Sequence, residues 1–307
     1  MQTLHNNIDE ECVSSCRGLS LVRDENSDCI ACNERSALRY LYRKLGFQIK
    51  RCSHCGLGKT ETLSDYDPDA IYGEEFFQGG QTNGYANYIG SERVLRVEFR
   101  RTLAALRPML PAGGRLLELG CAYGFFLSEA EAHFHSVGLE VSAPAVEFCR
   151  QRGSDVFHGT LESYFPQWRQ SEEPFDAVVM LDVIEHLADP AATLNLVREV
   201  LRPRGKVVIT TGDWNSLLAR CMGKHWRLMT PPQHLFFFTR HSLSLMLKRI
   251  GFRVCSVRYP WKFVPLGLMA YQLGRRIGLP LRAFEGLNAC GVPVNLFDAM
   301  QIVAERI

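Results

Sequence analysis

From residue 114 to the end of the chain, short apolar segments alternate with segments whose apolar residues recur at helical spacing. The apolar segments predict strands at RLLELG, SVGLEV, DVFHG, FDAVVMLDV, KVVITT, FRVCSVRY and AMQIVAERI. The segments between them predict helices at FFLSEAEAHF, APAVEFCRQRG, ADPAATLNLVREVLRPRG and SLSLMLKRIGF, with Pro203 and Gly205 ending the third helix. Regular alternation of this kind predicts an α/β fold with a mostly parallel sheet and helices on both faces.

The pattern changes upstream of residue 114. SERVLRVEFRRTLAALRPML has helical spacing, with Ser91 as its expected cap and Pro108 and Pro111 as its stop. The stretch before it is rich in Asp, Gly, Tyr and Phe without a clear period, and the first residues are polar. The chain therefore divides into a flexible arm (1–28), a cysteine-bearing segment (29–60), an aromatic connector (61–90) and an α/β domain (91–307).

Two CxxC pairs lie in the second of these parts, at Cys29, Cys32, Cys52 and Cys55. Their C-x2-C-x19-C-x2-C spacing is typical of a zinc site. Four thiolates close a tetrahedral shell, so the Zn²⁺ is expected to be structural. Asn33 and Gly56 follow the two pairs and suit left-handed turns. The sequence therefore predicts a small zinc-ribbon module whose folding energy comes from the metal.

Composition narrows the class of protein. Of 307 residues, 46% are hydrophobic and 22% charged, as in ordinary soluble globular proteins. The 35 basic and 33 acidic residues nearly balance, which does not favour a protein built chiefly to coat nucleic acid. The polar N-terminus carries no apolar signal segment, and the most hydrophobic later stretch, 263–273, is too short to span a bilayer. We expect a cytoplasmic protein without a membrane partner.

A glycine loop with the spacing G-x-x-x-G, in ELGCAYG, directly follows the first strand of the α/β domain. It lacks the G-x-G-x-x-G spacing of a dinucleotide fingerprint and the Lys-Ser or Lys-Thr of a P-loop. Ligands of open α/β sheets bind beyond the carboxyl ends of the strands. Glu140 ends the second strand, 20 residues after Gly120, where a carboxylate can accept both hydroxyls of an adenosine ribose.

Four segments in order, ELGCAYG, GLEVS, FDAVVMLDVIEHLADP and LRPRGKVVITT, resemble the successive motifs of class I S-adenosylmethionine-dependent methyltransferases. The resemblance covers residues 114–211 and implies a Rossmann-like domain that binds S-adenosyl-L-methionine. The cofactor-binding residues that it implies are Glu118, Gly120, Cys121, Tyr123, Gly124, Glu140, Val141, Thr160, Leu161, Glu162, Asp182 and Val183. Tyr85 joins this set, because the aromatic connector resembles a segment that covers the cofactor in relatives; ordinary packing is the alternative.

Individual roles also follow from the resemblance. Glu140 would bind the ribose, and Glu118 and the loop glycines would border the methionine part. Val141 would pack on the adenine, and residues 160–162 would hold its amino edge, although many relatives carry Asp where Thr160 stands here. Asp182 would face the ammonium group or the transferring methyl. For Val141 and Leu161, simple core packing stays an open alternative.

Two histidines flank the expected substrate mouth. His186 lies just beyond the fourth strand, and His234 lies on the loop that follows the fifth. Methyl transfer to a hydroxyl requires loss of its proton, and an imidazole can accept it near neutral pH. Each histidine is therefore a candidate catalytic residue, with Glu185 as an orienting neighbour. The alternative is that either histidine fixes loop geometry.

The whole arrangement resembles bacterial methyltransferases that act on small metabolites, sugars or glycans. Zinc-bearing sugar C-methyltransferases share the N-terminal design but carry a further C-terminal domain that this sequence does not show, which favours O-methylation. Two alternatives remain: an RNA base methyltransferase with a zinc recognition module, and a non-catalytic scaffold that kept the fold. Nucleic acid is thus a possible partner, though not the favoured one, and the sequence leaves the oligomeric state open.

Overall fold

The computed structural model describes residues 28–35, 37–61, 88–171, 173–270 and 287–307. Tyr85, most of the 61–90 connector and nearly all of the 1–28 arm lie outside these residues. Within the described part of the chain, no helix combines the length and the apolar character needed to cross a membrane.

Thirteen strands and seven α-helices lie entirely within the described residues. The strands are β1 Leu38–Lys44, β2 Phe47–Cys52, β3 Gly58–Thr60, β4 Arg115–Leu119, β5 His135–Glu140, β6 Val156–His158, β7 Phe175–Leu181, β8 Leu201–Gly212, β9 Phe236–Phe237, β10 Phe252–Arg258, β11 Lys262–Pro265, β12 Gly291–Val294 and β13 Ala299–Arg306. The α-helices are α1 Glu92–Leu106, α2 Phe125–Glu131, α3 Ala143–Gln151, α4 Leu161–Ser171, α5 Pro190–Val200, α6 Leu217–Met222 and α7 Arg240–Ile250.

The central sheet has seven strands in the order β10-β13-β8-β7-β4-β5-β6. Strands β6, β5, β4, β7 and β8 run parallel, and β13 inserts antiparallel between β8 and β10. The first six residues of β7 are buried, as expected for a strand covered on both faces. The prediction of a mostly parallel α/β sheet is confirmed. Because β4 lies between β5 and β7, the chain order reverses there, and ligands of such sheets bind at that point.

Two local predictions are wrong. Helix α5 ends at Val200, not at Pro203 and Gly205, because Leu201 already pairs with Phe175 as the first residue of β8. A register shift in the pairing of β7 with β8 accommodates the Pro and Gly that were expected to end the helix. At the other end of the domain, Ser91 precedes α1 without a side-chain capping bond, because a 3₁₀ turn at Ile89–Ser91 already leads into the helix.

The cysteine-bearing segment contributes to a second sheet, in the order β1-β2-β3-β9. Its fourth strand comes from the α/β domain, where Phe237 pairs with Gly58 and Phe236 with Lys59. Gly58 is required by close approach, since a Cβ there would lie 2.3 Å from the Trp214 ring. The cysteines pack in the same hydrophobic core as Phe236. The segment is therefore joined to the larger domain through both backbone pairing and a shared core.

Strands β11 and β12 form a separate two-stranded antiparallel sheet, and β11 packs against α1. Gly291 lies so close to this helix that a Cβ there would stand 2.3 Å from Val94 Cγ1. Strand β11 begins with Lys262, whose side chain reaches Glu98 on α1 and Asp182 beyond β7. The packing thus brings a cation from the C-terminal region to the carboxyl end of the central sheet.

Candidate functional site

The glycine loop between β4 and α2 lies at the point where the strand order reverses. Gly120, Ala122 and Gly124 all have positive φ angles, of 65°, 48° and 69°. A Cβ on Gly120 would stand 2.7 Å from Val183 Cγ2, and one on Gly124 would stand 2.8 Å from Cys149 Sγ. Both glycines are therefore required by the backbone conformation and by the close packing of neighbouring side chains.

Glu140 holds this loop to the end of β5. One carboxylate oxygen accepts a hydrogen bond from the Ala122 amide at 2.7 Å, and the other accepts one from the Ser142 amide at 2.8 Å. Burial raises the pKa of Glu140, and the backbone N–H groups oppose that rise. Each carboxylate oxygen has a second lone pair, so the side chain keeps acceptor capacity for a ligand.

Glu118 is the residue before last in β4 and is buried behind the loop. Burial raises the pKa of this carboxyl well above its usual range, and the neighbouring Cys149 and Glu140 add to the shift. Its Oε2 is buried and has no hydrogen-bond partner among the described residues. A buried polar atom without a partner is costly unless a ligand or water completes its bonding.

The other predicted cofactor residues differ in their burial and in the groups that they contact. Cys121 and Tyr123 are buried, Tyr123 within an aromatic cluster that includes Phe125. Val141 is half-buried and presents its carbonyl to His158 Nε2 at 2.9 Å. Leu161 is fully packed into the main core, which favours the packing alternative for that side chain.

Thr160 and Glu162 flank Leu161 at the start of α4. Thr160 is exposed, and its amide donates to Ser163 Oγ at 3.0 Å. The Glu162 carboxylate accepts a hydrogen bond from the Thr193 hydroxyl at 2.7 Å. Thr160 therefore makes a contact within the first turn of α4, whereas Glu162 joins α4 to α5.

Asp182 follows β7 with a φ angle of 57°, in the left-handed region. Its carboxylate lies 2.8 Å from Lys262 Nζ, and the same nitrogen lies 2.9 Å from Glu98 Oε1. Burial opposes protonation of Lys262, but the two carboxylates raise its pKa above the usual value. Lys262 was not predicted, because it lies 80 residues beyond Asp182 on a strand without a recognisable motif.

Glu185, His186 and His234 come together beside Asp182. Their potential ligand atoms all lie within 4.8 Å of one another. The two imidazole rings meet edge-on, with centroids 4.7 Å apart. Burial raises the pKa of Glu185 to about 8, and the charge of Asp182 adds to the shift. Burial lowers the pKa of His186 and lowers that of His234 well below the usual value, so both rings are neutral at pH 7.

Backbone and side-chain hydrogen bonds hold this cluster together. The Leu235 amide donates to the Glu185 carbonyl at 2.9 Å, and His186 Nδ1 lies 2.8 Å from the Gln233 carbonyl. The cysteine-bearing segment also takes part, because the Thr60 hydroxyl donates to the His234 carbonyl at 2.7 Å. Thr60 was not predicted as a site residue, because only the pairing of β3 with β9 makes it a neighbour of His234.

The four cysteines of the CxxC pairs also form a cluster. The Sγ atoms of Cys29 and Cys55 are 3.5 Å apart, and those of Cys32 and Cys52 are 3.7 Å apart. Two sulfurs at ~2.3 Å from one tetrahedral zinc lie roughly 3.8 Å apart, so the observed spacing fits that ion. All four cysteines are free, without disulfides. The predicted left-handed turns are present at Asn33 (φ 63°) and Gly56 (φ 78°).

Arg249 on α7 fixes the first turn of this cluster from outside. Its guanidinium donates to the carbonyls of Ile30 and Ala31 at 3.1 and 2.7 Å. The Thr239 hydroxyl, at the start of the same helix, donates to the Cys55 carbonyl at 3.4 Å. The sulfur cluster is thus held by the α/β domain on both of its turns.

Comparison with known proteins gives a consistent set of similarities. Residues 92–257, slightly more than half of the chain, match a family described as "Methyltransferase domain". The ubiquinone biosynthesis O-methyltransferase of Ruegeria pomeroyi is 29% identical over 191 residues, which cover 55% of this chain and 74% of the relative. The protein of the same name from Cereibacter sphaeroides is 32% identical over 171 residues, covering 51% of this chain and 66% of that protein, just under two thirds.

Among solved structures, an S-adenosylmethionine-dependent methyltransferase from Archaeoglobus fulgidus has a TM-score of 0.51 at 19% sequence identity. The similarity covers 78% of this chain and all of that structure, and it establishes a shared fold. The four cysteines and Lys262 all lie outside the segment that matches the family.

Proposed function

Since the chain belongs to the family of class I S-adenosylmethionine-dependent methyltransferases, we propose that it methylates an oxygen atom of a small molecule. S-adenosyl-L-methionine, when bound, supplies a methyl group activated by a positively charged sulfur. The protein's part is to hold this donor, align an acceptor with it and control the acceptor's proton, because alignment provides much of the rate in such a displacement.

The donor would lie on the glycine loop. Glu140 would accept the ribose hydroxyls with the lone pairs that its two backbone hydrogen bonds leave available. Glu118, with its buried and unpartnered Oε2, would bond to the methionine part directly or through water. Gly120 and Gly124 would allow close approach of the backbone, and Cys121 and Tyr123 would contribute their main chain, since their side chains are buried.

The adenine would lie toward β6. The side chain of Val141 would contact its face, and Thr160, Leu161 and Glu162 would border its edge, with main-chain groups preferred because their side chains are engaged or buried. On the other side of the loop, Val183 packs against Gly120. Asp182 would bind the ammonium group of the donor and keep its ion pair with Lys262. Tyr85 lies outside the described residues, and its predicted role is to cover the bound donor.

The acceptor would lie beside Glu185, His186 and His234. These three side chains meet one short turn beyond Val183, which itself contacts the glycine loop. Oxygen as the acceptor atom is supported by the relatives in Ruegeria pomeroyi and Cereibacter sphaeroides, both named as O-methyltransferases. The closeness of this polar cluster to the glycine loop is the observation that carries the proposal.

The four cysteines would hold one structural zinc ion. The spacing of their sulfur atoms fits a tetrahedral shell, and four thiolates leave no position for a substrate. The role of this zinc would be to fix β1–β3, and through Thr60 the loop that carries His234. Zinc would thus stabilise the acceptor side of the site without taking part in the reaction.

The proposal can be tested by incubating the full chain with methyl-labelled S-adenosylmethionine and a panel of hydroxylated metabolites, phenols and nucleotide sugars. We expect label in a small molecule, and nuclear magnetic resonance of the product should show the new methyl on oxygen. Label on nitrogen or carbon would contradict the choice of acceptor atom. Label in added RNA and in none of the small molecules would contradict the substrate class, and calorimetry without any binding of the donor would favour the scaffold alternative.

A further inference from the structure

We propose that a groove between the cysteine-bearing segment and α7 binds the phosphate groups of a small molecule, and that this molecule is the acceptor. Binding of phosphate in the groove does not depend on the proposed function, whereas its assignment to the acceptor rests on it. The groove has a volume of about 660 Å³, within the range of small-molecule pockets. The polar side chains that line it include Arg39, Arg51, His54, Asn215, Thr239 and His241.

The charge of the groove suits an anion. Residues 29–60 contain seven lysines and arginines and a single acidic residue, Glu34, whereas the whole chain has 35 basic and 33 acidic residues. Among the described residues that line the groove, none carries a carboxylate. A one-sided charge distribution of this kind attracts anions and raises their local concentration.

The two arginines are available to a ligand. Arg51 lies over the Trp214 ring, with its guanidinium carbon 5.1 Å from the ring centroid. Its Nη2 lies against the second CxxC turn, since a Cβ on Gly56 would stand 3.5 Å from that nitrogen. Neither Arg51 nor Arg39 forms an ion pair with a carboxylate in the part of the chain that the structure describes. Stacking fixes the plane of a guanidinium and leaves its N–H groups able to bond in pairs to phosphate oxygens.

Further donors come from the α/β domain. Asn215 and His241 are both exposed, and each side chain carries an N–H group. The Thr239 hydroxyl, which donates to the Cys55 carbonyl at 3.4 Å, ties this part of the groove to the cysteine-bearing segment. A carboxylate offers one charge and two oxygens, whereas a diphosphate offers more of both. Two guanidiniums together with donors from separate segments therefore favour phosphate groups over a carboxylate.

The groove lies next to the acceptor side of the site. Asn215 follows β8 by three residues, at the carboxyl end of the sheet, where ligands bind. The Trp214 ring, which carries Arg51, has its centroid 5.6 Å from that of Phe237, and the Phe237 centroid lies 6.2 Å from that of His234. Two aromatic rings thus separate the groove from His234. A phosphorylated acceptor would have its phosphate end at the arginines and its reacting oxygen near His234.

Calorimetry with inorganic pyrophosphate tests the site on the full chain supplied with one equivalent of zinc. We expect one pyrophosphate per chain, bound at least about fivefold more weakly after Arg51→Gln and after Arg39→Gln. Arg43→Gln removes the same charge from β1 but lies outside the lining of the groove. It is the matched control and should bind within about twofold of wild type.

Two further measurements exclude indirect effects. Zinc content before and after the titration shows whether pyrophosphate leaves the metal in place. Calorimetric binding of S-adenosylhomocysteine shows whether each variant keeps its fold. Wild-type protein that binds no stoichiometric pyrophosphate would overturn the inference, as would an Arg43→Gln variant weakened as much as Arg39→Gln.

The nature of the ligand is tested separately. Binding of a uridine oligonucleotide in place of pyrophosphate, with a steep salt dependence, would overturn the choice of a small molecule. A labelled methylation product without a phosphate group would overturn the assignment to the acceptor and leave the proposed function standing. A phosphorylated product methylated on nitrogen or carbon would support the assignment of the groove and contradict only the choice of oxygen.

Discussion

The two clusters of potential metal ligands differ in how the chain assembles them. Cys29, Cys32, Cys52 and Cys55 come from one short segment and two tight turns, and they form a closed shell of four like ligands. Glu185 and His186 are adjacent, but His234 arrives from a different loop, and the set has three members of two chemical types. A closed shell suits a structural role, and a mixed set suits chemistry.

The clusters are also physically connected. Strand β3 leaves the second CxxC turn, pairs with β9 and presents the Thr60 hydroxyl to the His234 carbonyl. The cysteine cluster can therefore support the acceptor side of the site without contacting a substrate. Substitutions that act on one cluster and not on the other separate the two roles.

The largest effect is expected from Cys52→Ser. Binding of a structural zinc contributes ~10–16 kcal/mol in zinc-finger peptides, so removing one of four ligands should lower the free energy of unfolding by at least about 3 kcal/mol. Zinc content by elemental analysis and urea unfolding measure the change. Cys255→Ser, at an exposed cysteine, is the control. Full zinc content with unchanged unfolding would show that the four thiols are not a metal site.

His234→Ala should act on turnover and spare both zinc content and donor affinity. We expect kcat to fall by about 100-fold, within the range for loss of a group that handles the acceptor's proton. Steady-state kinetics and calorimetry with S-adenosylhomocysteine separate the two effects, with His225→Ala as the control. A fully active variant would remove His234 from the site.

Glu140→Ala should act on the donor side alone. Loss of hydrogen bonds to the ribose, and of the tie to the Ala122 and Ser142 amides, should weaken binding of S-adenosylhomocysteine by roughly 1–3 kcal/mol. Glu147→Ala changes an exposed carboxylate on the neighbouring helix α3 and serves as the control. Equal affinity in both variants would refute the ribose assignment.

Thr60→Val should give the smallest effect and tests the connection between the clusters. It removes one hydrogen bond to the His234 carbonyl, worth about 1 kcal/mol, while leaving all four cysteines in place. We expect unchanged zinc content and a several-fold fall in kcat. Ser53→Ala removes a similar bond, to the Ala37 carbonyl, at the second CxxC turn of the same segment. Equal kinetics in the two variants would argue against support of His234 by this segment.

Periodicity predicted the central sheet well, because each parallel strand must bury both faces and therefore shows as an apolar run. The end of α5 was misjudged, since Pro203 and Gly205 stop helices in general but here lie in β8, where pairing between Leu201 and Phe175 decides the structure. Helix α4 was not predicted, because Pro166 and mostly exposed positions hide its helical pattern.

Along the candidate site, the glycine loop, Glu140 and the four cysteines were predictable because each depends on local spacing and on the ends of strands. The sequence by itself also determined the order of the strands along the chain and the residue types available for chemistry. Only the tertiary structure decided that Lys262 pairs with Asp182. It also decided that Thr60 holds the loop of His234, and that this histidine joins Glu185 and His186. Contacts between distant segments depend on packing and strand pairing, which leave no local pattern in the sequence.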